Sequence, residues 1–255
     1  MSVDLTHVEE FALIALNRPE ALNALSFAII RELGAAIDAA AASSARALFI
    51  TGAGSKAFCA GADIKELMGR SESEHRAGVK LGQQTFAKLD DLSIPSIALI
   101  NGYAFGGGLE LALACTFRLA SPNAKMGLPE IKLGLIPAYG GTQRLPRAIG
   151  ESRALELILS GRSVDAREAE NIGLINRCIE GDLLAAGIEF TRGFSSHSLT
   201  TARLARQAVR HGLETSLDRG LQIEADGSTR AYFSQDAVEG MTAFLEKRKA
   251  NFSDR

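Results

Sequence analysis

The chain has 255 residues, of which 46% are hydrophobic and 23% charged, a balance typical of a globular protein and not of a disordered or fibrous one. At about 150 residues per domain, this length predicts one large domain or one domain with a small addition. The formal net charge of −2 gives no overall attraction for nucleic acid or for an anionic membrane.

Predicted strands and helices alternate over most of the chain. The predicted strands are Ser2–His7 and Phe11–Leu16, which form a hairpin turning at Glu9-Glu10, and then Arg46–Thr51, Ser96–Ile100 and Phe117–Ala120. The predicted helices run from a Ser26 cap to about Ala42, from a Ser71–Glu74 capping box to about Asp91, and from Leu109 to Cys115. This rhythm predicts an α/β core.

The character of the sequence changes after about Ser195. Helices are predicted at Thr201–His211, Ser216–Phe233 and Asp236–Lys249, with no convincing strand among them. We therefore predict an α/β core at residues 1–195 and an all-helical segment at residues 196–255.

The cysteines and histidines predict neither a disulfide framework nor a metal site. The three cysteines, Cys59, Cys115 and Cys178, are far apart and odd in number, which favours a reducing compartment such as the cytoplasm. The start of the chain lacks the basic and apolar regions of a signal peptide. The four histidines show no ligand spacing, and we interpret them as surface or loop residues; they are His7, His75, His197 and His211.

Charge is scarce in the middle of the chain. The 26 residues from Leu92 to Phe117 contain one charged side chain, Glu110, where average composition would give about six. Pro95, Asn101 and the run Gly106–Gly108 indicate a strand, a turn and a helix start in this stretch, not a membrane span.

Three segments have the composition of a site. The first, Lys56–Lys65, follows a strand and is rich in small residues, so we expect exposed backbone that a ligand can approach closely. The second, Asn101–Glu110, places three glycines before a helix, where unpaired N–H groups can stabilise negative charge. The third, Gly127–Leu145, carries Glu130 among apolar residues and two glycines before another helix.

Each segment also has a purely structural interpretation. Three glycines at a strand–helix junction can be only a tight turn, and Glu110 could pair with Arg118. Glu130 could pair with Lys132 or lie on a loop surface. The G-x-G-x-x-G nucleotide fingerprint is absent from the second segment, which argues against a Rossmann site.

Taken together, the three segments resemble the crotonase (enoyl-CoA hydratase) superfamily. The resemblance begins at Asn17–Leu25 (NRPEALNAL), extends to Phe244–Phe252 (FLEKRKANF), and keeps order and spacing along essentially the whole chain. It implies an α/β fold, a spiral of ββα units whose helical C-terminal segment serves assembly into trimers or dimers of trimers. It also implies an acyl-CoA substrate, with no metal or redox cofactor.

The resemblance also assigns roles to individual residues. Ala62 and Gly107 match the two backbone N–H donors of the family's oxyanion hole, which hold the thioester oxygen. Asp63, Ile64 and Lys65 match the stretch that lines the adenine side of CoA. Glu110 and Glu130, twenty residues apart, match the two catalytic glutamates of the hydratases.

These assignments predict hydration of a 2,3-enoyl thioester to a 3-hydroxyacyl thioester. Glu110 would hold and activate water, and Glu130 would donate the Cα proton. The start of a helix favours ionised Glu110 while apolar burial opposes ionisation, and the sequence leaves this balance open.

Next to Pro137, Ala138 stands where the hydratase pattern often has a glycine whose N–H helps hold the water. Alanine in place of this glycine raises the question of how the water is held. Tyr139 is expected either to shape the acyl pocket or merely to pack.

Other functions stay open at this stage. Isomerases of the superfamily usually lack one of the two glutamates, and a catalytically silent structural subunit would not need either. A branch of methylglutaconyl-CoA hydratases that also binds AU-rich RNA is similar at Gly108–Cys115 and Ala124–Leu128. A basic stripe that could bind RNA is formed at helical spacing by Arg203, Arg206 and Arg210. We favour the interpretation of these residues as a solvated helix face over nucleic-acid binding. The acyl chain preferred is not readable.

Overall fold

The computed structural model describes residues 2–254. The chain divides into two compact units, Met1–Ile188 and Glu189–Arg255. The division falls inside a helix, Leu183–Ser195, at whose end the sequence predicts the boundary.

The first unit contains the strands of the described chain, arranged in two sheets. They are β1 Val3–Val8, β2 Phe11–Leu16, β3 Leu48–Gly52, β4 Ala57–Cys59, β5 Ser96–Ile100, β6 Tyr103–Phe105, β7 Phe117–Ala120, β8 Lys125–Gly127, β9 Ser163–Asp165 and β10 Arg177–Cys178. The larger sheet has the order β1-β2-β3-β5-β7-β10 and the smaller one β4-β6-β8-β9.

The strand order shows the repeated unit of the fold. Each of the pairs β3/β4, β5/β6 and β7/β8 places its first strand in the larger sheet and its second in the smaller one. Within each sheet these strands pair in parallel with those of the next unit. A helix follows each pair, so the chain forms a spiral of ββα units, as the resemblance implies.

The described residues form eleven α-helices. They are α1 Phe27–Ala42, α2 Ile64–Leu67, α3 Glu72–Asp91, α4 Gly107–Ala114, α5 Gly141–Ile149, α6 Glu151–Ser160, α7 Ala166–Asn171, α8 Leu183–Ser195, α9 Leu199–Gly212, α10 Leu217–Tyr232 and α11 Gln235–Leu245. Two 3₁₀ helices, Pro19–Ala21 and Pro129–Leu133, complete the set for the described residues.

The predicted caps set the ends of two long helices. The Ser26 hydroxyl accepts a hydrogen bond from the N–H of Ile29, and α1 ends at Ala42 as expected. Both bonds of the capping box between Ser71 and Glu74 are present at the start of α3.

The second unit is helical, as predicted. Serines at the start of α9, α10 and α11 each accept a bond from a backbone N–H in the first turn. The three arginines of the predicted basic stripe lie on α9 and are each partly exposed; they are Arg203, Arg206 and Arg210. The described chain contains no helix long and apolar enough to cross a membrane.

Two local predictions need correction. Helix α4 begins at Gly107, two residues earlier than Leu109, because the glycines themselves form its first turn. Within Lys56–Lys65, where exposed backbone was predicted, Ala57–Cys59 is a buried strand instead. Its parallel pairing with β6 removes that backbone from solvent, and beyond this strand the segment becomes accessible again at Ala60.

Candidate active site

A cavity of about 640 Å³ lies where the three glycine-rich segments meet. Its wall includes Ala62, Gly107, Glu110 and Glu130, so the structure brings together the four residues predicted to be catalytic. Most of its other lining residues are apolar, which suits an acyl group.

Two backbone N–H groups are available on this wall. Leu25 donates to Gly61 O (2.7 Å) and accepts from Asp63 N (2.9 Å), a parallel bridge that turns the intervening N–H of Ala62 away from Leu25. Gly107 is the first residue of α4, where no intrahelical acceptor exists. Neither N–H has an acceptor among residues 2–254.

These two donors belong to backbone segments in close contact. A Cβ added to Gly61 would lie 3.6 Å from the nitrogen of Gly107 and 2.9 Å from the oxygen of Phe105. Only glycine permits this approach, and Gly61 also has a φ of +101°. The segments before Ala62 and before Gly107 are therefore held side by side, as an oxyanion hole requires.

Glu110 lies in the first turn of α4 and is 2% exposed. Its Oε1 accepts hydrogen bonds from the backbone N–H groups of Tyr139 (2.7 Å) and Gly141 (2.8 Å). Gly141 is also the first residue of α5, so the carboxylate lies at the positive end of a second helix. The loop before α5 thus fixes one oxygen of Glu110.

Burial decides the balance that the sequence leaves open. Loss of solvent raises the pKa of Glu110 from 4.5 to about 7, and the charge of Glu130 contributes in the same direction. The bonds from Gly141 and Tyr139 and the charge of Arg144 oppose this rise without cancelling it. A carboxyl with a pKa near 7 is suited to exchange protons at neutral pH.

Glu130 lines the same cavity as Glu110 and lies on the 3₁₀ helix Pro129–Leu133. Burial raises its pKa above the usual range, and its Oε2 has no hydrogen-bond partner in the described chain. A Cβ on Gly106 would lie 2.8 Å from its Oε1, so the α4 turn approaches the carboxyl closely. Gly106 also has a φ of +51°, which favours glycine.

The ion pairs considered for the two glutamates do not form. The guanidinium of Arg118 donates to Leu174 O (2.7 Å) and Cys115 O (3.1 Å), and not to Glu110. Within the described residues, Glu130 forms no ion pair with Lys132.

The stretch predicted to line the adenine side lies at and beyond the cavity rim. Ile64 lines the cavity, whereas Asp63 and Lys65 do not. Asp63 caps α2 by accepting from the N–H of Lys65, and its other oxygen pairs with Arg18 at 3.1 Å. The structure thus places Ile64 on the cavity wall beside the residues predicted to be catalytic, and Asp63 and Lys65 outside it.

Pro137, Ala138 and Tyr139 all line the cavity. Ala138 does not have a positive φ, so alanine fits there without strain, and its oxygen accepts from Gln83 Nε2 at 2.9 Å. Tyr139 is 5% exposed, and its ring packs edge-on against Phe86. Burial raises the pKa of its phenol to about 12, so the hydroxyl is neutral.

Sequence reasoning did not identify several residues of the cavity wall. Phe27 comes from α1, while His75, Val79 and Gln83 come from successive turns of α3. The four-residue spacing of His75, Val79 and Gln83 was the available signal, because it marks one helix face. His75 is exposed on α3, as expected of a surface histidine, but it also borders the cavity.

Other reactive groups do not form a site. Burial raises the pKa of Cys59 to about 12, which keeps this residue beside Ala60 a neutral thiol and agrees with a packing role. Residues 2–254 contain no cluster of histidine, cysteine and acidic side chains that could hold a metal ion.

Known proteins are similar to this chain in sequence and fold. The family model for enoyl-CoA hydratase/isomerase matches residues 7–255. A crotonyl-CoA hydratase of Syntrophomonas wolfei is 42% identical, covering 98% of this chain and 97% of its own. A short-chain-enoyl-CoA hydratase of Clostridium acetobutylicum is 39% identical, covering 93% and 92%.

Among solved structures, an enoyl-CoA hydratase from Bacillus anthracis superposes with a TM-score of 0.95 at 39% identity and covers 100% of both chains. The match extends over both units and includes every segment that lines the cavity. The chain therefore belongs to the enoyl-CoA hydratase/isomerase family, and its activity is the hydration of an enoyl-CoA thioester.

Proposed function

We propose that Glu110 and Glu130 hydrate the enoyl thioester as a base and an acid. Glu110 takes a proton from a water molecule whose oxygen bonds to Cβ, and the double-bond electrons move toward the thioester oxygen. Glu130 then gives its proton to Cα, which completes the 3-hydroxyacyl product. No step of this scheme requires a metal ion or a redox cofactor.

The oxyanion hole supplies the electrostatic part of catalysis in this proposal. The N–H groups of Ala62 and Gly107 would stabilise the enolate oxygen, and each such donor lowers the barrier by about 3 kcal/mol. Their segments are fixed by the Leu25 bridge and by α4, so little reorganisation accompanies the reaction.

The observation that carries the proposal is the unequal use of the carboxyl oxygens. Both N–H donors bind Oε1 of Glu110, which leaves Oε2 for water. The unpartnered Oε2 of Glu130 is likewise the atom available to hold a proton for Cα. Glu110 is thereby held through its Oε1, and each of the two carboxyl groups keeps its Oε2 for the reaction.

The test follows loss of the enoyl-thioester absorbance with crotonyl-CoA. Glu110→Gln and Glu130→Gln should each lower kcat by about 10²–10⁴-fold, because each removes a proton-transferring group. Glu156→Gln is the matched control, since Glu156 is exposed and pairs with Arg162 away from the cavity. Near-native kcat in either glutamine variant would refute the role assigned to that residue, and conversion of 3-enoyl to 2-enoyl substrate with little hydration would favour an isomerase.

We further propose a preference for short acyl groups, as the names of the two relatives suggest for those proteins. The Tyr139 ring fills the space between α3 and α4: a Cβ on Gly82 would overlap it, and one on Gly107 would lie 3.2 Å from it. Tyr139→Ala should therefore raise kcat/KM for longer enoyl-CoA relative to crotonyl-CoA. Tyr139→Phe should keep the native ratio, and an unchanged ratio in Tyr139→Ala would refute the proposal.

The remaining parts of the proposal concern binding and location. Asp63, Ile64 and Lys65 would contact the adenine side of CoA, since they lie next to Ala62 at the rim.

The free thiols of Cys59 and Cys115, both buried, support a reducing compartment, the cytoplasm. We propose a homo-oligomer, a trimer or a dimer of trimers, supported by the apolar side chains exposed on α9–α11.

A further inference from the structure

Arg144 lies in the first half of α5 and does not line the cavity. Its Nη1 donates to Tyr139 O at 3.2 Å and its Nη2 donates to Asp90 Oδ2 at 2.8 Å. Asp90 lies at the end of α3, and the two side chains are 21% and 33% exposed. The guanidinium therefore connects α3 with the loop before α5, and it does so outside the cavity.

The peptide that Arg144 holds lies between the two that hold Glu110. The Tyr139 carbonyl belongs to the peptide joining Tyr139 to Gly140. The N–H donors to Glu110 Oε1 belong to the peptides immediately before and after it. Rotation of the central peptide would therefore turn the flanking N–H groups as well.

Gly140 makes this arrangement possible. It has a φ of +117°, and a Cβ at this position would overlap Nη1 of Arg144. The guanidinium thus lies directly against the loop backbone, where a side chain at residue 140 would exclude it.

The same loop is held a second time from α3. Gln83 Nε2 donates to Ala138 O at 2.9 Å, one peptide before the one bound by Arg144. Gln83 lines the cavity, so its removal would alter the substrate pocket. The Arg144 side chain is not itself part of the cavity wall, which makes it the more informative residue to replace.

Two charged groups act electrostatically on Glu110. Glu130 raises its pKa, the positive charge of Arg144 lowers it, and the Tyr139 phenol is neutral. Arg144 is thus the cation that opposes the effect of burial on this carboxyl.

We propose that Arg144, anchored by Asp90, is a positioning residue that holds the Tyr139–Gly140 peptide so that the flanking N–H groups fix Glu110 for catalysis. This inference rests on the proposed role of Glu110 as the base. Arg144 itself touches neither water nor substrate in this account.

The test replaces Arg144 with methionine, which keeps much of the apolar stem and removes the charge and both hydrogen bonds. Arg144→Met should lower kcat for crotonyl-CoA by at least about tenfold with little change in KM, because the base is misaligned while the pocket is intact. The limb of the kcat–pH profile that rises with pH should move to higher pH, since a cation near Glu110 is lost. Arg147→Met removes an exposed guanidinium on the same helix that donates to the Gln143 carbonyl, and this variant should match the native enzyme.

Asp90→Asn provides a second variant in case Arg144→Met folds poorly by circular dichroism. It keeps the side-chain shape and weakens the anchor, so kcat should fall several-fold at unchanged KM. Native kcat and an unshifted pH profile in folded Arg144→Met would overturn the inference, as would a raised KM at native kcat. If Arg144→Met is poorly folded, native kcat in Asp90→Asn would overturn it.

Glu110→Gln separates failure of the inference from failure of the proposed function. Adding Arg144→Met to Glu110→Gln should cause no further loss of residual kcat if Arg144 acts through Glu110. A full additional loss would show a role independent of Glu110 and overturn the inference alone. Near-native kcat in Glu110→Gln would refute the base itself, and with it the positioning role.

Discussion

As the proposed base, Glu110 combines two requirements that oppose each other. A base must give up its proton near neutral pH, yet the apolar surroundings that exclude water penalise the charged form. The two N–H bonds from Tyr139 and Gly141 recover part of this penalty, and the resulting pKa of about 7 lies within the working range of a base. The scarcity of charge around this residue therefore serves the chemistry and reduces stability.

This conflict predicts a pH-dependent gain in stability for Glu110→Gln. The folded pKa of about 7 exceeds the ordinary value of 4.5, so the native state binds more protons than the unfolded state between these values. The free energy of unfolding of the native enzyme should therefore fall as pH rises through this window, by up to about 3 kcal/mol. The neutral glutamine escapes this loss, so Glu110→Gln should equal the native enzyme in stability near pH 4 and exceed it near pH 8.

Urea unfolding at several pH values measures this difference. Glu156→Gln, an exposed carboxyl beside Arg162, should show no comparable pH-dependent gain. A Glu110→Gln variant that is less stable than the native enzyme at pH 8 would contradict the assignment of burial as the dominant effect.

At the scale of elements, two glycines of α3 shape the cavity, because their lack of a side chain leaves room for aromatic rings. Gly78 and Gly82 lie one turn apart, and Cβ atoms there would overlap the rings of Phe27 and Tyr139. Both rings line the cavity, so the two glycines provide the surface of α3 on which these aromatic residues pack. Glycine in a helix interior is unfavourable by about 1 kcal/mol relative to alanine, and here packing compensates.

Gly82→Ala should therefore destabilise the enzyme by about 1–3 kcal/mol despite its better helix propensity, because the new methyl displaces the Tyr139 ring. It should also lower kcat/KM for crotonyl-CoA. Adding Tyr139→Ala should relieve the overlap, which makes the two changes non-additive in a thermal or urea denaturation series.

Gly193→Ala is the matched control for this prediction. Gly193 lies on α8 with no atom within 4 Å of an added Cβ, so the same substitution should stabilise by about 1 kcal/mol. Equal effects of the two substitutions on stability would show that helix propensity alone decides them and that packing of the Tyr139 ring on α3 does not.

The elements that the sequence predicts well are those with local signals. Ser26 and the Ser71–Glu74 box mark the starts of α1 and α3 by hydrogen bonds within one turn, and those helices occur as predicted. The smaller sheet was not predicted as such, because strands of three residues are too short to show an alternating pattern.

The same distinction applies to the site. The residue types of Glu110, Glu130, Ala62 and Gly107 are visible in the sequence, and the structure places them in one cavity. The hydrogen bonds that hold Glu110 come from backbone 29 and 31 residues further along the chain. Such donors carry no side-chain signal, so only the folded geometry shows them.

At the scale of the whole molecule, large apolar side chains are distributed unevenly over the surface. The helices of the second unit expose several of them, with 81% exposure at Phe244 and 79% at Phe233. The others there with more than half of their surface exposed are Val209, Leu213, Leu217, Leu221, Tyr232, Val238 and Leu245. Clusters of this kind are typical of surfaces that are covered in an assembly.

We therefore expect sedimentation velocity to give a mass of about three or six times the 27.1 kDa of one chain. Replacing Phe233 and Phe244 together by glutamate should shift the distribution toward smaller species, because charges would be buried without partners in an apolar interface. Glu224→Gln, an exposed polar change on α10, should leave the mass unchanged. A native enzyme that sediments as a monomer at micromolar concentration would contradict the proposed assembly, and unchanged mass in the double variant would place the interface elsewhere.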